Sequence, residues 1–436
     1  MKDPQYNLAI FGHAKHGKST LGGRLAYEFG AVSDDELLNF EIHADRHGKD
    51  FNKYNSIFLQ RNPAIWQKES NELGDASRTS YPEFSNLKIN NNTSLTLVDT
   101  PGHRDYISNL IYGVYLADQA IITIAANTGL EDVTLEVLKS LMSFDIPILA
   151  IAITKMDIVN YSETIYNEII GDLRNLLDAK FDIKIEDLCN NIVPISVLHE
   201  VGLKNTSSLI EWYKGETLVE IIEKNKFTSL DDDLGARFTV EGPKDIYNIE
   251  STGVVAVGTL ECGNLSKNDI LTLEPASTIS GKNISYKIKS IQQAKSVTDK
   301  TIDKHQTKFN SRSILSILFS NISYFEISKQ LKRGGVFGRN KIQVANRIIA
   351  DIRFFETEKI YQGMEFILHT NASYSKAKIS KFDQTLVNLK NTTVEFEIET
   401  FSPICIETKD SSHRLSKFIL RQNKSVLGCG VCKRIL

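Results

Sequence analysis

Gly12-His13-Ala14-Lys15-His16-Gly17-Lys18-Ser19 fits the pattern G-x-x-x-x-G-K-[ST]. The apolar run Leu8-Ala9-Ile10-Phe11 before it reads as a buried strand, and residues 20–29 after it carry Leu21, Leu25 and Phe29 at helical spacing. Strand, glycine loop and helix start are the setting of a phosphate-binding loop. The glycines let backbone N–H groups of His13, Ala14, Lys15, His16 and Gly17 close around phosphate oxygens, with the positive end of the helix dipole behind them. Lys18 would reach the β- and γ-phosphates, the Ser19 hydroxyl would sit on Mg²⁺, and Thr20 continues the loop into the helix. The alternative is a chance glycine-rich turn.

Downstream motifs bear on that choice. Residues 94–98 alternate into a strand ending at Asp99-Thr100-Pro101-Gly102-His103. A carboxylate at a strand's C-terminal end can hold Mg²⁺, which assigns Asp99 to the metal. Gly102 brings its N–H to a γ-phosphate oxygen with no side chain in the way. His103, at the start of a helix, could position an attacking water; the plain alternatives are a surface histidine and a helix-capping aspartate.

Residues 119–126 and 147–153 are near-unbroken apolar runs, suited to a parallel sheet covered on both faces, with an amphipathic helix over residues 130–144 between them. The second run leads into Thr154-Lys155-Met156-Asp157. A carboxylate there accepts from two neighbouring donors on a guanine edge, whereas adenine presents an unprotonated ring nitrogen that repels it. The Lys155 stem would lie along the base. Val193-Pro194-Ile195-Ser196 supplies a last strand, whose end, with Val197 and Leu198, would cover the base from the other side. The ligands implied are GTP and GDP with Mg²⁺.

Phosphate loop, Asp-Thr-Pro-Gly-His, Thr-Lys-Met-Asp and a closing serine, in this order, resemble the translational GTPases of the elongation factor 1-alpha and elongation factor Tu family. Three stretches resemble elongation factor 1-alpha and its termination and ribosome-rescue relatives in particular. They are Phe40-Glu41 with Ala44 and Gly48-Lys49-Asp50-Phe51-Asn52-Lys53-Tyr54, then Pro101-Gly102-His103-Arg104-Asp105-Tyr106-Ile107-Ser108-Asn109, and Trp212-Tyr213-Lys214-Gly215-Glu216-Thr217-Leu218. The resemblance implies an α/β P-loop GTPase domain with a mostly parallel sheet, followed by two all-β barrel domains. The later sequence fits, with short alternating segments, turn residues and no convincing helices. Residues 221–234, with Asp231-Asp232-Asp233, read as a linker. The expected domains are residues 1–225, 235–340 and 341–436.

By resemblance the activity is GTP hydrolysis, with His103 catalytic. The partners are the ribosome, an aminoacyl-tRNA or a tRNA-like protein held on barrel surfaces and near residues 258–263, and a guanine-nucleotide exchange factor. A termination or rescue factor with a protein cargo is one alternative. The GTPase subunit of sulfate adenylyltransferase is another, although Arg104-Asp105 departs from its motif.

Three positions depart from the family. Lys15 replaces an aspartate thought to help hold a monovalent cation; its ammonium either takes that cation's place or points to solvent. Arg78-Thr79-Ser80-Tyr81 stands where the family has Arg-Gly-Ile-Thr and offers no exact counterpart of the Mg²⁺-sensing threonine; Thr79 is preferred, with Ser80 next. Thr154 replaces an asparagine, which should loosen the brace between base loop and phosphate loop while leaving Asp157's selectivity intact.

Composition agrees with an ordinary globular chain. Its 436 residues are 41% hydrophobic and 24% charged, a length that calls for several domains. The first residues lack the apolar core of a signal peptide, no run is long enough to span a bilayer, and five scattered cysteines fit a reducing compartment. The expected location is cytoplasmic, with no membrane partner. A net charge of −3 argues against bulk electrostatic binding of nucleic acid. Residues 341–436 nevertheless carry 15 Lys+Arg against 10 Asp+Glu, compatible with a phosphate-rich partner or with an ordinary solvated surface. Cys429 and Cys432 have no second pair nearby and read as a small-residue terminal strand rather than a zinc site.

Overall fold

The computed structural model describes residues 5–47, 52–60, 79–90, 93–227, 234–240, 245–249, 253–276, 285–294, 308–309, 311–320, 322–355, 360–371, 373–381 and 392–436. Of the sequence expectations, residues 48–51, Arg78 and Asp231 to Asp233 lie outside these. The chain divides into two compact units, the first ending at Thr228 and the second carrying both barrels.

The first unit is an α/β sandwich around six strands. They are β1 (Gln5–Gly12), β2 (Glu83–Asn90), β3 (Thr93–Asp99), β4 (Gln119–Ala125), β5 (Ile148–Thr154) and β6 (Ile192–Pro194), in the order β2-β3-β1-β4-β5-β6. All neighbours run parallel except the edge pair β2–β3. The helices are α1 (Lys18–Glu28), α2 (Asp34–His47), α3 (Asn55–Gln60), α4 (Ile107–Leu116), α5 (Asp132–Ser143), α6 (Glu163–Phe181), α7 (Ile185–Leu188) and α8 (Leu218–Lys224). Side chains alternate across a strand, so Leu8 and Ile10 of β1 join Leu21 and Leu25 of α1 in one core layer, while Phe11 faces α4 near Gly113. β4 is buried along its whole length, as a central parallel strand requires. The phosphate loop, residue 99 and residue 154 thus all lie at the carboxyl ends of neighbouring strands, where ligands of open α/β sheets bind.

Residues 218–224 correct the linker expectation. They form a capped helix whose Leu218, Val219, Ile221 and Ile222 are buried in the sheet's core. Its Thr217 and Glu220 make a reciprocal capping box.

In the second unit, β7 (Arg237–Val240), β8 (Ile246–Ile249), β9 (Gly253–Cys262), β10 (Leu265–Ser266), β11 (Ile270–Ala276), β12 (Ser285–Gln293), β13 (Lys308–Phe309), β14 (Ile314–Ser320) and β15 (Leu331–Gly338) build the first barrel. Its ring runs β14-β12-β11-β15-β7-β9 and closes where β9 pairs with β14, around Phe238, Tyr286, Phe319 and Phe337. One short helix, α9 (Tyr324–Gln330), stands where none was expected. Ser323 and Glu326 cap it reciprocally. The second barrel closes in the order β16-β19-β18-β17-β20-β21, from β16 (Val344–Phe354), β17 (Glu365–Thr370), β18 (Ser373–Lys381), β19 (Thr393–Cys405), β20 (Lys417–Gln422) and β21 (Ser425–Ile435). Cys429 and Cys432 lie on β21, and neither is in a disulfide. Buried ion pairs Arg237–Glu407 and Glu261–Arg312 reinforce this unit, with Arg414 also beside Glu261.

Candidate nucleotide site

At the carboxyl ends of β1, β3 and β5 a cavity of about 350 Å³ opens. Ala14, Lys15, Gly17, Lys18, Ser19, Thr20, Thr79, Gly102, His103, Thr154, Lys155, Asp157, Val197 and Leu198 line it. His13, His16, Asp99 and Ser196 are not in that lining, but each hydrogen-bonds a residue that is.

The loop's course explains its glycines. Gly17 has φ 84°, a left-handed conformation that only glycine adopts without cost. A side chain on Gly12 would collide with the Thr123 carbonyl. Lys18 is buried, and its ammonium donates to the His13 carbonyl at 2.8 Å. Burial lowers the Lys18 pKa to about 8 against the opposing pull of Asp99. A cation that gives up solvent at the mouth of a phosphate-sized cradle is held in readiness for an anion.

Behind Lys18, three oxygens converge. The Ser19 hydroxyl donates to Asp99 Oδ2 at 2.6 Å, the Thr79 hydroxyl donates to the same oxygen at 3.1 Å, and the two hydroxyls are 3.2 Å apart. Asp99 is fully buried, and its Oδ1 has no hydrogen-bond partner among the described residues. Burial raises its pKa, opposed by Lys18, Ser19 and Thr79. Alcohol and carboxylate oxygens around a buried orphan carboxylate oxygen suit a hard dication such as Mg²⁺. His13, His16 and Glu131 form a separate group of metal-capable side chains. There the His16 ring already meets the Thr123 carbonyl at 3.4 Å and the Thr128 hydroxyl at 3.0 Å.

Gly102 follows Asp99 round a tight turn held by the Thr100 hydroxyl, which donates to the Ile10 carbonyl at 2.6 Å. His103 then caps a single 3₁₀ turn, and its Nδ1 accepts from the Asp105 amide at 3.2 Å. The Asp105 carboxylate lies 3.4 Å from the same ring nitrogen.

On the far side, Ser196 donates to Asp157 Oδ1 at 2.6 Å and fixes the carboxylate at the cavity wall. The Thr154 hydroxyl donates to the His16 carbonyl at 2.8 Å. A brace between base loop and phosphate loop therefore exists, carried by one hydroxyl where the sequence led us to expect loosening. Lys15 is exposed at the cavity's rim with φ 64°. Ser80 leaves its carbonyl to accept from Asn109 Nδ2 at 2.6 Å.

Sequence reasoning missed Asn52, Asn55 and Ile158, which complete the lining. Asn52 Nδ2 donates to the Thr20 hydroxyl at 3.2 Å. Its signal was present, because Asn52 belongs to one of the stretches that carried the family resemblance.

The sequence profile described as "Elongation factor Tu GTP binding domain" matches residues 3–233. The chain belongs to this family. It is a GTPase, a GTP- and GDP-binding protein of the translation-factor class. Elongation factor 1-alpha of Methanocorpusculum labreanum is 27% identical over 98% of this chain and 96% of its own length. That of Pyrococcus furiosus is 25% identical over 98% and 97%. Among solved structures, the Saccharomyces cerevisiae Ski7 GTPase-like domain bound to GTP superposes with a TM-score of 0.79 at 15% identity, covering 99% of this chain and 97% of that one. Methanococcus maripaludis SelB in complex with the GTP analogue GppNHp gives 0.68 at 19% identity, over 100% and 80%. At these identities the two structures speak for the fold alone. Among the described residues no helix of this GTPase is long and apolar enough to cross a membrane.

Proposed function

We propose that this GTPase acts as an elongation factor 1-alpha-like translation factor, bringing an aminoacyl-tRNA or a tRNA-shaped protein to the ribosome in its GTP form. The observation that carries the reading is the meeting of Thr79, Ser19 and Asp99. It joins the long segment after α1 to the phosphate loop and to the end of β3. A segment held at the γ-phosphate position in this way can report whether that phosphate is present.

Ser19, Thr79 and Asp99 are the residues proposed to hold Mg²⁺, which when bound offsets phosphate charge. Loop amides from residues 13–17 and the Lys18 ammonium bind the phosphates, with Thr20 closing the loop. Asp157 reads the guanine edge, while Lys155, Val197 and Leu198 flank the base. His103 acts on the attacking water. Its backbone is set by the 3₁₀ turn it caps, beside Gly102 at the cavity, so its contribution is to orient that water.

The test is GTP hydrolysis with and without ribosomes, in wild type and His103→Ala. Strong ribosomal stimulation, reduced about a hundredfold or more in the variant, supports the reading. Intact GTP binding with no stimulation overturns it.

A further inference from the structure

Beneath the nucleotide cavity, α1 carries a buried arginine that touches two otherwise separate walls of the site. Arg24 is only 5% exposed. Its Nη1 donates to the Tyr54 hydroxyl at 2.5 Å and to Glu200 Oε1 at 2.6 Å, and its Nη2 donates to Glu28. The guanidinium also lies over the Tyr27 and Tyr54 rings, 5.5 and 5.2 Å from their centroids.

Tyr54 and Glu200 each adjoin a stretch that lines the nucleotide cavity. Tyr54 stands beside Asn52 and Asn55, both in the cavity lining, and its amide donates to Asn52 Oδ1 at 3.0 Å. Its backbone lies so close to Gly23 that a side chain there would collide with it. Glu200 ends the base loop. Paired backbone bonds of 3.0 and 3.1 Å between Ser196 and Val201 close that loop into a tight turn. Within the turn lie Val197 and Leu198, and Ser196 fixes Asp157. Glu200 itself has φ 62°, an unfavourable backbone conformation for a glutamate. The surrounding contacts must hold it there.

We propose that Arg24, Tyr54 and Glu200 are positioning residues that form a clasp behind the nucleotide, setting how long GDP or GTP stays bound. No member lines the cavity, so none contacts the ligand. The clasp holds the base loop and the Asn52 wall against α1, whose first residues bind phosphate. Arg24 is anchored by Glu28 and the two rings, whereas Glu200 is 58% exposed along its side chain. Glu200 is therefore the part that opens, and opening it frees the base loop. The inference rests on the nucleotide-site reading above.

The experiment is stopped-flow release of a fluorescent GDP analogue, chased with excess GDP, from the full chain. Wild-type binding of the analogue is the control for the site itself, and its failure would count against the nucleotide site rather than the clasp. Glu200→Gln is expected to speed release about tenfold, the scale of one charge-assisted hydrogen bond. It should leave single-turnover hydrolysis of preloaded GTP unchanged. Arg24→Lys keeps the charge but cannot fork to three partners, and should speed release similarly. The double variant should be no faster than the single ones, because both break one unit. Wild-type release should quicken more steeply with salt than that of Glu200→Gln, since the half-exposed pair is screened while the charge of the nucleotide is common to both. Wild-type release rates in Glu200→Gln, or equal salt dependence in the two proteins, would overturn the proposal.

Discussion

The amide of Ala14 donates a 2.8 Å hydrogen bond to the carbonyl of Gly102. This single bond ties the phosphate loop to the turn that follows β3, and it brings Gly102 into contact with the Lys18 ammonium. A methyl group at Gly102 would run into that ammonium, the Gly12 carbonyl and the Ala14 amide. Two of these are backbone and cannot swing aside. Gly102→Ala is therefore expected to displace Lys18 and weaken GTP binding about five- to a hundredfold, an overpacking cost of about 1–3 kcal/mol. GDP, which lacks the γ-phosphate, should be affected less. Fluorescence titration with the two nucleotides checks this, and equal losses for both would contradict it.

The Thr154 hydroxyl is the only polar reach of that side chain, and it meets the buried stretch of the phosphate loop at the His16 carbonyl. Thr154→Val keeps the shape and removes the donor, leaving that carbonyl without this partner. The expected cost is about 1–3 kcal/mol in stability, with a matching rise in the dissociation constant for GDP. Denaturant unfolding with and without GDP separates the two effects.

What the sequence made legible follows from chemistry that tolerates few substitutes. A phosphate cradle needs Gly17 at positive φ, an ammonium at residue 18 and a hydroxyl at residue 19, so these residues announce themselves. Apolar runs such as residues 119–125 could hardly be anything but central strands. Other elements were hidden because their partners are distant. β2, Glu83–Asn90, is an edge strand with an exposed Lys88 and Asn90, and only pairing with β3 makes it a strand. Helix α8 sits among charges that read as a linker until its Ile221 and Ile222 meet the sheet. The helix capped by Ser323 and Glu326 is short and set among strands, so only the structure separates it from them. The contact between Arg24 and Glu200 spans 176 positions and leaves no local trace.

His16 is buried beside Lys18, and desolvation first, then that neighbouring charge, lowers its pKa from 6.5 to about 4. The unfolded chain therefore binds a proton more readily than the fold between those values. Stability should fall as pH drops from 6.5 to 4, by on the order of 3 kcal/mol from this group. His16→Asn, uncharged throughout, should lose less on the same descent. Urea unfolding of both proteins at pH 7 and pH 4.5 measures the difference; parallel losses would assign the effect elsewhere.

Lys18 acts in an alkaline window, with the same sign. Its pKa stands at about 8 in the fold against 10.5 for an ordinary lysine. Between these values the unfolded chain holds the proton and the folded one has released it. Stability of nucleotide-free protein should consequently gain from this group as pH rises through that range. Nucleotide binding should move the other way. Phosphate oxygens favour the ammonium, so binding above pH 8 must take up a proton, and the GDP dissociation constant should rise by up to about tenfold per pH unit. Calorimetry at pH 8.5 in two buffers of different ionisation heat should register the uptake. Lys18→Met removes the titrating group, so its weaker binding should be flat with pH over the same range. If wild-type affinity is equally flat between pH 7.5 and 9.5, Lys18 carries its full charge before the nucleotide arrives, and burial does not depress it.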